Sequence, residues 1–383
     1  VSRAVFDQRL SSREPHDRSG VWRYRELILS LDQEDIVTKP EGNTNLYSSK
    51  PVANYAGLEG ILLKHEGENP TGSFKDRGMT VGVSVAKKLG VKRVACASTG
   101  NTSASMAAYA AQAGQQAIVF IPEGKIAYGK LSQTLASGAR TIQIDGDFDA
   151  AMGLIERSCA ELGIYLLNSI NPFRIEGQKA IAIELLHELN WRSPDWIVLP
   201  GGNLGNNSAL SKGLVEMQAL GLIDRLPRLA VIQAEGANPL YTAFEQDKDL
   251  VPVENAETIA TAIKIGNPLS WEKSLRGLRQ TNGIVEQVSD QEIMDAKAHV
   301  DAAGIGAEPA SCASVAGVKK LVDQGVIGRQ EQVVGILTGH LLKDPDAVVG
   351  YHEGNLERIQ SNFQNAPISV RTDLDSVLAA IES

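Results

Sequence analysis

The sequence predicts an α/β protein built on open, mostly parallel β-sheets. From residue 61 onward, short runs of β-branched and apolar residues alternate with Ala-rich stretches of helical length. The short runs are apolar throughout, which is typical of strands buried on both faces of a parallel sheet. The chain has no internal repeat, heptad pattern or low-complexity tract. A solenoid or a coiled coil is therefore not expected.

The predicted elements follow one another in regular order. The strands are Gly60–Lys64, Arg93–Ala97, Gln116–Ile121, Thr141–Ile144, Trp196–Leu199, Leu229–Gln233 and Gln332–Leu337. The helices are Met79–Leu89, Ser103–Ala113, Asp147–Leu162, Gly177–Leu189 and Ser208–Leu220, with another expected around Trp22–Leu31 in the polar first 50 residues. Strands that alternate with helices in this way form parallel βαβ units.

Composition narrows the class of protein. The 383 residues predict two or three domains at about 150 residues each. A net charge of -9 disfavours a nucleic-acid partner, because the surface would repel phosphate backbones. No apolar run approaches the roughly 20 residues of a membrane span, and no secretory signal is visible. We therefore expect neither a nucleic-acid partner nor a membrane.

The cysteines and histidines do not form a metal-binding or disulfide pattern. Cys96, Cys159 and Cys312 are scattered and lack CxxC spacing, so we expect buried, inert thiols in a reducing compartment, namely the cytoplasm. The six histidines show no HxxxH grouping. No metal site is predicted.

Three unusual segments directly follow predicted strands. They are Ser98–Ser103, Pro200–Asn206 and Thr338–His340. In open parallel sheets, ligands bind beyond the carboxyl ends of the strands, where loops lead into helices. These three segments are therefore the candidates for a binding site.

The segment Pro200–Asn206 has the composition of a phosphate-binding loop. Its three glycines allow successive backbone N–H groups to face one point, and the helix that follows adds its positive dipole end. The segment lacks the Gly-Lys-Ser/Thr of a nucleoside triphosphate loop and the GxGxxG of a dinucleotide fold. A tight turn without a ligand is the alternative.

Two other segments allow more than one interpretation on their residues alone. Ser98–Ser103 contains four hydroxyl side chains at a predicted helix start, which suits either an ordinary helix cap or a carboxylate-binding loop. Lys75 lies in a turn that contains Pro70, Gly72 and Gly78. It is either a solvated surface lysine or a desolvated amine that can form a Schiff base with an aldehyde.

Together, the lysine decapeptide Asn69–Gly78 and the three loops resemble the fold-type II enzymes that use pyridoxal 5'-phosphate (PLP), the family of tryptophan synthase β chains, serine/threonine dehydratases and threonine synthases. The motifs occur in the order that this family uses, from about Trp22 to His340. The resemblance implies two open twisted sheets with flanking helices. It also implies a discontinuous large domain, residues 1–90 and 175–383, a small mobile domain, residues 91–174, and a homodimer.

The resemblance also implies roles for individual residues. Lys75 would bond covalently to the cofactor, Phe74 would lie beside it, and Asn101 would hydrogen-bond the 3′-oxygen. Thr338 would meet the pyridine nitrogen as a neutral partner. The cofactor phosphate would be bound by Gly201, Gly202, Asn203, Leu204 and Gly205. The amino-acid carboxylate would be bound by Ser98, Thr99 and Thr102.

Within this family, the decapeptide most resembles the threonine synthases, because Asp76-Arg77-Gly78 follows the lysine. The segment Asn168–Lys179 also resembles them, and it makes Asn171 and Arg174 candidates for binding a substrate phosphate, with a surface position for Arg174 as the alternative. The expected reaction converts O-phospho-L-homoserine and water to L-threonine and phosphate. The alternatives are a serine/threonine dehydratase and a catalytically silent PLP- or amino-acid-binding protein.

The sequence departs from the family at Asn45, where proline is usual, and at Leu341, where glycine is common.

Overall fold

A computed structural model describes residues 2–122, 128–144 and 148–382. The strands in these ranges are β1 Leu46–Ser48, β2 Leu62–His65, β3 Arg93–Ala97, β4 Gln116–Pro122, β5 Arg140–Ile144, β6 Tyr165–Leu166, β7 Trp196–Pro200, β8 Arg228–Ala234, β9 Ile284–Val288 and β10 Val333–Leu337. No helix in these ranges is long and apolar enough to cross a membrane.

The helices surround the strands. They are α1 Arg3–Leu10, α2 Arg25–Ile28, α3 Lys50–Ala56, α4 Lys75–Lys88, α5 Asn101–Gln112, α6 Tyr128–Ala136, α7 Phe148–Leu162, α8 Pro172–Gln178, α9 Ala180–Glu188, α10 Gly205–Ala219, α11 Pro239–Gln246, α12 Trp271–Gln280, α13 Asp290–Ala302, α14 Pro309–Asp323, α15 Pro345–Glu353 and α16 Leu374–Glu382.

The strands form two sheets, as expected. The larger sheet has the order β1-β2-β10-β7-β8-β9, and the smaller has the order β5-β4-β3-β6. All pairs are parallel except β1 with β2. The prediction of parallel α/β sheets is therefore confirmed, whereas the division into domains at residues 90 and 174 stays a prediction.

Both faces of the inner strands are buried, which explains their continuous apolar runs in the sequence. In β7, Ile197 and Leu199 pack into one hydrophobic core while Trp196 and Val198 pack into another. The smaller sheet likewise separates two cores, one of which contains Val94 and Cys96 of β3. Because side chains alternate along a strand, only a run without polar interruptions can fill both cores.

All seven predicted strands are present, but three further strands were missed. β1 and β6 contain only three and two residues, which is too short for a recognisable pattern. β9, Ile284–Val288, forms the sheet edge and carries Glu286 and Gln287 among its apolar residues. An edge strand is paired on one side only and can carry polar residues. β9 therefore lacks the continuous apolar run by which the other strands were recognised.

Several predicted helix starts were wrong, and the errors fall at the functional loops. α4 begins at Lys75 rather than Met79, α5 at Asn101 rather than Ser103, and α10 at Gly205 rather than Ser208. The expected helix at Trp22–Leu31 is a 3₁₀ turn followed by the four-residue α2. The predicted start of the helix at Asp147 lies outside the described residues.

A close helix crossing joins the two sheets. α4 packs against α8, and a Cβ atom added to Gly177 would collide with the carbonyl oxygen of Arg77. A Cβ atom added to Gly78 would approach the carbonyl oxygen of Arg174 to 2.9 Å. Glycine at both positions lets the backbones meet, and this contact brings the start of α4 beside the segment that leads into α8.

Candidate active site

Three of the sequence-predicted loops meet at one edge of the larger sheet. β2 leads to the Lys75 turn, β7 to the Gly201 loop, and β10 to Thr338. In the sheet, β10 lies between β2 and β7, and these strands are parallel. Their carboxyl ends therefore place the three loops side by side, although they are separated by more than a hundred residues in the sequence.

Backbone hydrogen bonds fix the turn before Lys75. Gly72 has a φ of 82°, which a residue with a side chain adopts only with strain. The amide of Phe74 donates to the carbonyl oxygen of Thr338 at 3.0 Å, and the amide of His340 donates to that of Gly72 at 3.0 Å. Lys75 is therefore held at the first turn of α4 by the loop that follows β10.

The amino group of Lys75 has the environment of a reactive amine. It lies 4.0 Å from the centroid of the Phe74 ring, and no hydrogen bond or ion pair joins it to another described residue. Burial lowers the pKa of Lys75 to about 7, with a further lowering by the positive charge of Arg174, while the Glu308 carboxylate opposes the shift. A neutral amine is a nucleophile and a base.

This lowered pKa makes a measurable prediction for cofactor capture. Because only the neutral amine attacks an aldehyde, the rate at which apoprotein binds PLP covalently should rise about tenfold per pH unit up to about pH 7 and then level off. Stopped-flow absorbance over a pH series measures this rate. A rate that kept rising to about pH 10, as for an ordinary lysine, would contradict the assigned environment.

Asn101 and Glu308 face each other beside the Lys75 turn. The Asn101 amide donates to both carboxylate oxygens of Glu308, at 3.3 and 3.1 Å. Burial raises the pKa of Glu308, while the Asn101 hydrogen bond and the charges of Lys343 and Lys75 oppose the shift. Glu308, just before α14, thus orients Asn101, the first residue of α5. This contact joins a helix that follows the smaller sheet to a segment of the larger one.

The loop from Gly201 to Gly205 presents unused donors. Leu204 takes a left-handed backbone with a φ of 63° immediately before α10 begins. The amides of Gly202, Asn203 and Leu204 donate to no other described residue, whereas that of Gly201 donates to Ile232 at 2.7 Å. Unsatisfied amides at a helix N-terminus form an anion site. The loop therefore has the free donors that an anion would need.

Two buried residues beside this loop also lack partners. Both polar atoms of the Asn206 side chain are unpaired, as is Oε1 of Gln178. The latter lies 4.0 Å from the position that a Cβ atom on Gly205 would take. A buried polar atom without a partner is destabilising, so a polar ligand would satisfy it. Sequence reasoning assigned no role to Asn206 or Gln178, although both fall in segments that it singled out.

Thr338 lies at the end of β10 with its hydroxyl positioned by a neighbour. Its Oγ1 is 3.0 Å from Oγ of Ser311, which in turn accepts a hydrogen bond from the amide of Gly339 at 2.8 Å. Thr338 is buried, and its hydroxyl is neutral. Sequence reasoning missed this role of Ser311.

The loop Ser98–Thr102 follows β3 of the smaller sheet, with some of its hydroxyls unused. Ser98 accepts a hydrogen bond from the Gly100 amide at 3.2 Å, so it stabilises the turn. The hydroxyls of Thr99 and Thr102 bind no other described residue, and α5 has no side-chain cap. The simple helix-cap interpretation therefore does not account for this segment.

The segment from Asn168 to Arg174 follows β6, the neighbour of β3. Asn171 caps α8: its Oδ1 accepts from the Phe173 amide at 3.0 Å, and its Nδ2 donates to Leu166 at 3.1 Å. Both ends of the Asn171 side chain are thus engaged within the protein. This geometry gives Asn171 a structural task, while the second N–H of its Nδ2 has no partner among the described residues.

Arg174 is not the surface residue that the alternative interpretation required. Its side chain is 1% exposed, Nη1 donates to Leu167 at 3.0 Å, and Nε has no partner. No carboxylate among the described residues pairs with it. Burial lowers the pKa of Arg174 to about 10. A buried cation without a counterion is a position at which an anionic ligand would be stabilised.

Asp76 and Arg77, which follow Lys75, form internal contacts that hold the start of α4. Asp76 accepts hydrogen bonds from the Thr71 amide at 2.7 Å and from Ser105 at 2.5 Å. Arg77 pairs with Glu66 at 2.6 Å and with Glu184 at 2.7 Å. The side chains of all three residues are buried. The Asp-Arg-Gly continuation therefore holds the start of α4 in place.

Comparison with known proteins agrees with this geometry. Residues 37–339 match the family described as pyridoxal-phosphate dependent enzyme. Threonine synthase from Methanocaldococcus jannaschii is 50% identical over 90% of this chain and 85% of its own length. Threonine synthase from Methanosarcina acetivorans is 52% identical over 86% and 82%. Threonine synthase 2, chloroplastic, from Arabidopsis thaliana is 41% identical over 99% and 75%.

Solved structures agree on the fold. Maize serine racemase aligns with a TM-score of 0.67 at 23% identity, covering 78% of this chain and 88% of its own. The processed threonine deaminase isoform 2 from Solanum lycopersicum aligns at 0.69 and 19% identity, covering 85% and 92%. At this identity the likeness concerns the fold alone. The chain belongs to the pyridoxal-phosphate-dependent enzyme family and, within it, to the threonine synthases.

Proposed function

We propose that this chain converts O-phospho-L-homoserine and water to L-threonine and inorganic phosphate. The observation that carries the proposal is a lysine with a pKa of about 7 beside a buried arginine without a counterion. The lysine is suited to move protons, and the arginine is suited to bind a phosphate. The identity of 41–52% to threonine synthases over most of the chain supports the same reaction.

The proposed cofactor contacts fit the donors present. The unused amides of Gly202, Asn203 and Leu204 at the start of α10 would bind the PLP phosphate, with Gly201 and Gly205 allowing close approach. Phe74 packs beneath the Lys75 amine. Asn101, held by Glu308, would donate to the 3′-oxygen.

The electronic part of the reaction depends on the bound cofactor, which supplies an electron sink for negative charge on the substrate carbons. Thr338 would offer the pyridine nitrogen a neutral hydroxyl positioned by Ser311. Because a hydroxyl carries no charge, it does not hold that nitrogen protonated as a carboxylate would. Lys75 would provide both the covalent attachment and, once released by the substrate amine, a base near neutral pH.

The substrate needs two anion sites, and the structure offers two groups of donors. The unused hydroxyls of Thr99 and Thr102, with Ser98 shaping their loop, would bind the carboxylate. Arg174 would bind the phosphate, because its guanidinium is buried and no carboxylate of a described residue pairs with it. Asn171 would position α8, and the remaining N–H of its Nδ2 would be available to the same phosphate.

The product distinguishes this proposal from the dehydratase alternative. Purified protein loaded with PLP should release phosphate and form threonine in equal amounts from O-phospho-L-homoserine. L-Threonine alone should give little 2-oxobutanoate. Rapid formation of 2-oxobutanoate from threonine, without turnover of the phosphate ester, would instead establish a dehydratase.

Substitution of Arg174 by methionine tests the phosphate site. We expect kcat/KM for O-phospho-L-homoserine to fall about 10- to 100-fold, mainly through KM, because charge-assisted hydrogen bonds to the substrate phosphate are lost. Steady-state phosphate release measures the change. Inhibition by L-homoserine, which lacks the phosphate, should stay the same. Arg140→Met, at an exposed position of β5, is the matched control.

We also propose the organisation expected from the family. Residues 1–90 and 175–383 would form the large domain, and residues 91–174 the small mobile domain. The active form would be a homodimer in the cytoplasm, and the three buried, unpaired cysteines are compatible with a reducing compartment. Sedimentation equilibrium of the loaded protein tests the dimer, and a monomeric mass at micromolar concentration would refute it.

A further inference from the structure

A cavity lies in the N-terminal part of the chain. It has a volume of about 640 Å³ and is lined by Leu10, Ser12, Arg13, Arg18, Arg23, Pro40 and Asn43. None of these residues belongs to the candidate active site. Small-molecule sites typically have volumes of roughly 300–1,000 Å³, so the cavity is large enough for a small organic molecule.

The lining of this cavity is strongly cationic. It contains three arginines and no carboxylate. Arg23 is 6% exposed, and the acceptors recorded for its guanidinium are neutral, namely the Asp17 carbonyl oxygen at 3.0 Å and Asn43 Oδ1 at 2.6 Å. Within the described residues, none of the three arginines forms an ion pair.

Two acidic residues in this part of the chain are engaged by other arginines. Asp17 pairs with Arg25 at 2.7 Å and with Arg9 at 3.6 Å. Glu26 also pairs with Arg9. Of the three arginines that line the cavity, Arg13 and Arg18 are exposed and Arg23 is buried. Arg23 has no carboxylate partner among the described residues, and a buried cation without a counterion is destabilising. An anion that entered the cavity would be attracted by all three guanidinium groups.

A chain of hydrogen bonds leads from this cavity to α4. Asn43, which has a φ of 52°, accepts from Arg23 and donates from Nδ2 to the Arg18 carbonyl oxygen at 2.6 Å. Its backbone amide donates to Glu184 at 2.8 Å. Glu184 pairs with Arg77 at 2.7 Å, two residues after Lys75. These contacts run without interruption from Asn43 to the helix that carries the reactive lysine.

We propose that this cavity binds a phosphate group through Arg13, Arg18 and Arg23, and that its occupancy is coupled to the start of α4 through Asn43 and Glu184. Planar guanidinium groups match the oxygens of a phosphate dianion. The group could come from inorganic phosphate, the product of the proposed reaction, or from a small phosphate monoester. This site is separate from the candidate active site, and its test does not depend on the proposed reaction.

Calorimetric titration of the PLP-loaded protein tests the site. Inorganic phosphate and glycerol 3-phosphate are titrated separately into the unaltered protein, Arg13→Gln/Arg18→Gln, and the control Arg93→Gln/Arg276→Gln, whose arginines are exposed elsewhere. We expect one phosphate site more than the active site accounts for. Its affinity should fall about tenfold or more in the Arg13/Arg18 variant only.

The two probes and the two variants together test the proposed phosphate site. The probe that binds more tightly at the additional site identifies the source of the phosphate group. Absence of an additional site for both probes would overturn the proposal. Equal binding by the Arg13/Arg18 variant, or an equal loss in the control variant, would also overturn it, because the affinity would then reflect other residues or the overall charge.

Hydrogen exchange tests the coupling. Binding of the tighter probe should slow amide exchange in residues 75–80 of the unaltered protein by about fivefold or more. Asn43→Gly keeps the positive φ and the backbone amide but removes the side-chain link to Arg23. This variant should still bind the probe and lose the protection. Unchanged exchange in the unaltered protein, or retained protection in the variant, would overturn the relay.

Discussion

Lys75→Ala is expected to abolish the covalent attachment of PLP and to reduce turnover of O-phospho-L-homoserine by about 10⁴-fold or more. Both effects arise because one amine would hold the cofactor and move the substrate protons. Its pKa of about 7 allows it to serve in both capacities near neutral pH. The measurements are the visible absorbance band of the purified protein and the rate of phosphate release.

A control on the same helix separates chemistry from folding. Lys88 is exposed near the other end of α4, and Lys88→Ala should retain both the band and the turnover. Lys75→Ala should keep the far-ultraviolet circular dichroism of the unaltered protein, because its amine forms no hydrogen bond or ion pair with another described residue. Turnover by Lys75→Ala at the unaltered rate would refute the catalytic assignment.

Arg77→Met is expected to destabilise the protein by about 3–5 kcal/mol. The guanidinium pairs with Glu66 and Glu184 inside the protein, and its loss would leave buried carboxylates insufficiently compensated. Methionine preserves much of the volume, so the change reports mainly on charge. Urea denaturation followed by fluorescence gives the free energy of unfolding.

Two further variants sharpen this experiment. Arg276→Met, at an exposed position of α12, should change the free energy of unfolding by less than about 0.5 kcal/mol. Adding Glu66→Gln to Arg77→Met should recover part of the loss, because one unpaired charge is removed. A loss below about 1 kcal/mol for Arg77→Met would contradict the structural role assigned to this network.

The same network predicts how stability depends on pH. The charges of Arg77 and Lys64 hold the pKa of Glu184 well below its usual range, against the effect of burial. A carboxyl group with a lowered pKa in the folded state stabilises the protein above its unfolded-state pKa, and this contribution is lost as pH falls. Stability should therefore decrease below about pH 4.5, and this decrease should be smaller in Glu184→Gln.

The elements predicted from the sequence match the structure best where the local pattern of apolar residues is strongest. β7 and β10 were predicted because strands buried on both faces require uninterrupted apolar residues. The helix starts at Lys75, Asn101 and Gly205 were misplaced by two to four residues. At these positions polar loop residues enter a helix without a strong capping signal, since α5 and α10 have no side-chain cap.

By itself, the sequence determined the parallel α/β class, the family and the loops that carry the proposed site, because each depends on residues that are adjacent in the chain. Only the tertiary structure decided what the individual side chains do. Arg77 proved to be a buried structural ion-pair partner, Asn171 a helix cap, and Arg174 a buried cation without a counterion. Those differences depend on contacts between distant segments, such as Glu184 with Arg77 and Leu167 with Arg174. No local pattern encodes them, because burial and charge compensation are properties of the packed molecule.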